Sequence, residues 1–270
     1  MPFLTLLSDY GSASHEPALI KGDLWGTHPA LQIVDITHQV NRFDASQAAY
    51  LLADVLRAFP SESVHLVCVN AAATEKAPHR CARVCNQWVI AADRPFFQLL
   101  QDDLGGEEMS IFNLLPPVAP PVHPNFPERE VFVPVARALL DGLPIEAWGS
   151  RTEAPRSGMR PAVRVEGNAL FCQVIYVDGF ENAVTNLDRD TFENARQGRN
   201  FRIHLRGSRM DIRKVSARYD DVPAGERLAL FNHRGLLEIA IAHHAVPGHF
   251  GGASSLLGLP VGHSIQIAFE

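Results

Sequence analysis

Four short apolar runs in the first hundred residues each close on polar residues. Phe3–Leu7 ends at Ser8-Asp9-Tyr10-Gly11, Leu31–Ile36 at Thr37-His38, Ser63–Val69 at Asn70, and Trp88–Ala92 at Asp93. Between the second and third runs, Asp44–Ala58 sets Ala48, Leu51, Leu52 and Val55 on one helical face. Asp44 is placed to cap that helix and Gln47 to complete a capping box. Strands apolar on both faces need covering on both, and helical crossovers supply that cover when the strands run parallel. The expectation is an α/β fold whose N-terminal α/β domain holds a largely parallel sheet.

The pattern then breaks. Leu115–Pro127 carries six prolines and cannot be regular structure. A helical pattern returns over Val133–Leu140 and stops at Asp141-Gly142, and Arg151–Pro161 reads as a linker. Beyond it the period changes to short strands: Ala162–Val165, Leu170–Val177, Asn200–Leu205, Arg227–Asn232, Leu236–Ala242 and Ser264–Phe269. Such strands, separated by turn signals, predict a smaller C-terminal domain that is a β-barrel or a small sandwich. The expected domains are 1–155 and 156–270.

Composition narrows the function. Hydrophobic residues at 46% and charged residues at 20% are ordinary for a globular chain. A net charge of −6 argues against nucleic acid or an anionic membrane as partner. No run reaches the ~20 apolar residues of a membrane span, and the N-terminus lacks the basic start of a signal peptide. The four cysteines, Cys68, Cys81, Cys85 and Cys172, read as core thiols of a cytoplasmic protein rather than a disulfide frame. Neither Cys81-x3-Cys85 after His79 nor the histidines His243, His244 and His249 complete a metal-ligand spacing, so no metal is expected.

In open α/β sheets ligands bind beyond the carboxyl ends of the strands. Here those ends carry Asp9, Asp35 with His38, Asn70 and Asp93. A carboxylate at that rim suits the vicinal diol of a ribose; it also suits the capping of a turn.

The string Leu4–Gly11, then Lys21-Gly22, then Ile33-Val34-Asp35-Ile36-Thr37-His38, resembles the S-adenosyl-L-methionine (SAM) hydroxide adenosyltransferases, relatives of fluorinase and chlorinase. The likeness continues through Phe59-Pro60, Ser63-Val64-His65, Phe126–Pro134, Val177–Asn182, Asn232–Ile239 and the closing strand. It implies trimers that bind ligand between the first domain of one subunit and the second domain of its neighbour. By resemblance, Asp9 binds the ribose hydroxyls and Phe43 packs beside the ribose. Asp178 holds the methionine ammonium, Asn182 bonds adenine, and Phe180 and Tyr219 stack on it. Arg234, with His233 where relatives often have serine, lies near the methionine carboxylate. Aromatic faces and an amide suit adenine, and one carboxylate with one guanidinium suits an amino-acid zwitterion.

The resemblance implies hydrolysis of SAM by water to adenosine and methionine without a cofactor, in a family whose water is handled by an Asp–Arg–His trio. This chain departs from that trio. The acid is Asn70, in Asn70-Ala71-Ala72-Ala73-Thr74. The histidine of a Phe-His-Gly-Arg-Asp motif is Pro127, in Phe126-Pro127-Glu128-Arg129-Glu130. Asn70, His79, Arg80 and Arg129 are the candidates left to handle water. The alternatives are a non-catalytic adenosine or SAM binder and, with less in its favour, a halogenase. Asn70 stands where halogenating relatives have tyrosine, and Ala71–Ala73 lacks their threonine.

Overall fold

The computed structural model describes residues 3–115, 122–123, 125–154, 156, 158–205, 210–242 and 251–270. The chain divides into two compact units, Met1–Met159 and Arg160–Glu270. The first contains β1 (Phe3–Ser8), α1 (Glu16–Thr27), β2 (Gln32–Thr37), α2 (Ala45–Ala58), β3 (Val64–Cys68), β4 (His79–Val84), β5 (Gln87–Ala92), α3 (Phe96–Asp103), β6 (Ser110–Leu114), α4 (Val133–Leu140) and β7 (Gly149–Thr152).

Its seven-stranded sheet has the order β2-β1-β3-β5-β4-β6-β7. β2, β1, β3 and β5 run parallel, whereas β4, β6 and β7 are joined antiparallel. The sheet is therefore mixed, not largely parallel as expected. The cause is a two-residue turn, Cys85 (φ 50) and Asn86 (φ 58), whose left-handed pair folds β4 directly back as β5. Cys85 is consequently exposed, unlike the buried thiols Cys68, Cys81 and Cys172, because it sits in the turn rather than in the core.

Side chains alternate across this sheet with period two. Leu7, Val67, Val89 and Ala91 pack under α2 and α3; Leu4, Leu6, Val64, Leu66 and Ile90 pack under α1 and α4. Asp44 Oδ1 caps α2 by accepting from the Gln47 N–H at 2.9 Å. Gln47 does not close the capping box. Its Oε1 instead accepts from the Asn41 N–H at 2.6 Å and ties down the loop before the helix. One polar chain crosses the core: Thr5 Oγ1 lies 2.8 Å from His65 Nδ1, and His65 Nε2 2.7 Å from Gln87 Oε1.

The second unit contains β8 (Arg164–Glu166), β9 (Ala169–Val177), β10 (Ala183–Asp188), α5 (Arg189–Arg196), β11 (Phe201–His204), β12 (Arg227–Phe231), β13 (Leu236–Ile241), α6 (Ala253–Leu257) and β14 (Ser264–Phe269). Its antiparallel sheet, β11-β14-β9-β10-β13-β12 with β8 beside β9, curls around Leu170, Val174, Phe192, Ile203, Ile239 and Ile267. The expected barrel is a half-barrel. Among the described residues β11 and β12 do not pair with each other. Ile212 exchanges backbone hydrogen bonds with Ile203, and the Ser216 N–H donates to Ala229 O, so an intervening segment touches both edges. No described helix is long and apolar enough to cross a membrane.

Candidate functional site

The carboxyl ends of β1 and β3 carry the first group of predicted residues. Ser8 Oγ lies 2.8 Å from His38 Nδ1, and the Gly11 N–H donates to His38 O at 2.6 Å. These contacts lock the loop after β1 to the loop after β2. Gly11 (φ 85) takes a backbone conformation open chiefly to glycine. Asp9 follows Ser8, and its Oδ2 accepts the N–H groups of Phe43 (2.9 Å) and Asn70 (3.3 Å). Phe43 (φ 65) and Asn70 (φ 47) are both left-handed, a strain held by that shared carboxylate oxygen. Among the described residues Asp9 Oδ1 accepts no hydrogen bond.

Beside Asp9 opens a cleft of about 710 Å³ whose lining includes Phe43, Asn70, Phe126, Pro127, Glu128 and Arg129. The Arg94 guanidinium donates to Asn70 O at 2.9 Å and also to Ala72 O, fixing the loop that presents the Asn70 amide. Arg129 forms a two-pronged ion pair with Asp23 on α1, which keeps it charged and fixes its direction.

His79 and Arg80, also candidates for handling water, are not among the residues lining this cleft. His79 Nε2 donates to Ala71 O at 2.8 Å, and its ring meets Phe132 edge-on at 5.2 Å. Burial lowers its pKa, so it stands neutral behind the 70–72 loop. Arg80 bonds Asn113 Oδ1 at 2.8 Å and pairs with Asp93. Burial raises the Asp93 carboxyl against that pairing.

Among the lining residues without an assignment from sequence, Tyr10 and Glu128 form a hydrogen-bonded pair. Glu128 is buried, with 4% of its surface exposed, and its Oε1 accepts from the Tyr10 hydroxyl. Burial pushes the Glu128 carboxyl above its ordinary range, the neighbouring Asp9 and Glu16 charges add to that, and the Tyr10 hydrogen bond opposes it. Burial likewise raises the Tyr10 phenol, which stays protonated as a donor. The available signal was Glu128 standing where the resembled motif has glycine.

The second group gathers in the other unit, around a pocket of about 370 Å³ lined by Asp178, Phe180, Asn182, Tyr219 and Ile241. Asp178 Oδ1 accepts the N–H groups of Phe180 (2.9 Å) and Asn182 (2.8 Å), and Oδ2 accepts Asn182 Nδ2 at 3.0 Å. The carboxylate thus organises its own turn, with Glu181 at φ 60, and orients the Asn182 amide. Phe180 is 71% and Tyr219 47% exposed, so both rings are open to solvent at the pocket. Tyr219 Oη donates to buried Glu238 at 2.6 Å, and burial raises the Glu238 carboxyl. His233 and Arg234 occupy the turn between β12 and β13, where Asn232 Oδ1 accepts the Arg234 N–H at 3.0 Å; neither lines the pocket. Among the described residues no cluster of His, Cys, Asp and Glu is arranged to hold a metal; His243, His244 and His249 lie outside those residues.

The family model for the SAM hydroxide adenosyltransferase N-terminal domain matches residues 4–149, and that for the C-terminal domain matches residues 172–266. An (R)-S-adenosyl-L-methionine hydrolase of Thermus thermophilus is 27% identical, covering 97% of both chains. A fluorinase of Actinoplanes sp. is 25% identical over 91% of this chain and 92% of its own. The crystal structure of an uncharacterized conserved protein from Thermotoga maritima superposes with a TM-score of 0.83 at 26% identity, covering 98% of this chain and all of that one.

Proposed function

Because the chain belongs to the SAM hydroxide adenosyltransferase family, we propose that it cleaves SAM with water to adenosine and L-methionine. The observation that carries this reading is Asp9. One of its oxygens is committed to two loop amides, and the other stands uncommitted beside a cleft at the carboxyl end of the sheet. A charged acceptor so fixed meets a ribose diol without reorganising.

The reaction asks little acid–base help of its leaving group. Water attacks the ribose C5′, the C5′–S bond breaks, and its electron pair neutralises the sulfonium as methionine departs. No cofactor is required. The site must align water and exclude its bulk. The Asn70 amide, presented by the Arg94-bound loop, serves as a water-positioning group in the cleft. Arg129, tied to Asp23, acts as a fixed positive charge at its wall. His79 and Arg80 act through what they hold rather than by touching water. In the second unit, Phe180 and Tyr219 stack on adenine while Asn182 bonds its polar edge and Asp178 meets the ammonium. The assembly is a cytoplasmic trimer in which each ligand draws on two neighbouring chains.

Chromatography of the purified chain incubated with SAM tests the reading. Adenosine and methionine should appear in equal amounts, unaffected by EDTA and by added chloride or fluoride. A 5′-halogenated adenosine would make it a halogenase. Adenosine binding with no release above the uncatalysed background would make it a binder, a reading favoured by Asn70 and Pro127 at two trio positions.

A further inference from the structure

The family's water-handling acid and histidine are replaced here by side chains that cannot accept a proton, an amide at Asn70 and a ring at Pro127. The same cleft nevertheless holds a carboxylate. Glu128 lines it, is 96% buried, and is fixed on one oxygen by the Tyr10 hydroxyl. Among the described residues no other side chain hydrogen-bonds to this carboxylate. We propose that Glu128 is the general base of this hydrolysis, a role that rests on the hydrolase reading above.

The step balances with groups already present. Water oxygen forms the C5′–O bond as the C5′–S bond breaks onto sulfur, and one water proton passes to the Glu128 carboxylate. The resulting carboxylic acid then releases that proton to solvent, so adenosine, methionine and one proton leave. Tyr10 holds one oxygen of the carboxylate by a hydrogen bond. In a water-poor cleft a carboxylate binds water and takes its proton more readily than in bulk solvent.

The groups facing Glu128 set when it is ionised. Asp9 and Glu16 disfavour the charge, as does burial, whereas Tyr10 favours it. Cys68, also near, is held as a neutral thiol by burial. On its own turn, Arg129 is engaged by Asp23, and Glu130 accepts the Val122 and His123 N–H groups. The carboxyl therefore ionises at a higher pH than an ordinary glutamate, and acidification below that point removes the base.

The test is adenosine release by the full chain, wild type against Glu128→Gln, with adenosine affinity measured for both. The amide preserves shape and cannot take the proton, so kcat should fall roughly 10²–10⁴-fold with affinity retained. The acid limb of the wild-type profile should vanish with it. Tyr10→Phe, which removes the donor that favours the ionised carboxyl, should move that limb to higher pH. Wild-type release matched by Glu128→Gln overturns the assignment and leaves the hydrolase reading standing. No release by the wild type overturns both. If Glu128→Gln does not fold, Tyr10→Phe decides: a shifted limb supports the base, and an unmoved one overturns it.

Discussion

Asp9 Oδ2 accepts the Phe43 N–H at 2.9 Å, and Phe43 is held there at φ 65. The proposed ribose carboxylate therefore also sets the position of the aromatic ring that would pack beside the ribose. Asp9→Ala should weaken adenosine binding by on the order of 2–4 kcal/mol, through loss of charge-assisted hydrogen bonds together with release of two loops. Calorimetry giving equal affinities would remove Asp9 from the site.

His79 should behave as a positioning residue. Its Nε2–H holds Ala71 O, one residue from Asn70, so His79→Ala should lower kcat roughly 10–100-fold by displacing that loop. A glutamine can donate the same hydrogen bond, so His79→Gln should recover most of the rate with an unaltered pH profile. Loss of a pH limb in His79→Gln would show that the imidazole itself exchanges a proton.

Asp178 and Asn182 should separate by ligand. Asn182→Ala removes the proposed adenine contact and should cost about 1–3 kcal/mol of adenosine affinity with little effect on methionine. Asp178→Ala should weaken both ligands, because its carboxylate also orients the Asn182 amide at 3.0 Å. Titration of each variant with adenosine and with methionine checks this, and an Asp178→Ala variant with wild-type adenosine affinity would refute it.

The oligomer should be a trimer that ligand stabilises. Phe43 at 69% and Phe180 at 71% exposed are aromatic faces a nucleoside and a neighbouring chain would cover. Light scattering and ultracentrifugation with and without adenosine address this directly; a monomer binding adenosine at full affinity would contradict it.

The buried chain Thr5–His65–Gln87 makes stability sensitive to acid. Gln87 Nε2 donates to Leu56 O at 2.6 Å, so its Oε1 accepts from His65 Nε2–H. Burial away from water disfavours the charged ring. Burial lowers the His65 pKa from 6.5 to about 4. Between those values the unfolded chain binds the extra proton, so stability rises with pH across this window and is lost as pH falls from 6.5 toward 4. The full effect is about 3 kcal/mol. Urea unfolding at pH 7.5 and pH 5 should show the loss, and His65→Gln should diminish it. An NMR titration midpoint near 6.5 for His65 in the folded protein would negate it.

What the sequence determined by itself is what neighbouring residues decide. The apolar runs, the Asp44 cap and the amphipathic period of α2 depend on local spacing, and they placed β1, β3, β5, α2 and α4 within a residue or two. The strand ends consequently pointed to Asp9 and Asn70, and the turn over Asp178–Asn182 was legible as a cluster. Tertiary structure decided the rest. Whether β4 ran parallel or antiparallel hung on two residues, Cys85 and Asn86, adopting positive φ, a choice their types permit without dictating. Tyr10 and Glu128 lie 118 positions apart. No period or motif within the chain joins them, and their contact forms only when the π-helical segment Glu128–Phe132, which leads into α4, packs beside the end of β1. Likewise, His79 looked free to act on water until folding committed its ring to Ala71 O. Side-chain chemistry is written in the sequence, but which groups are buried and which proton acceptors remain uncommitted is fixed by long-range packing.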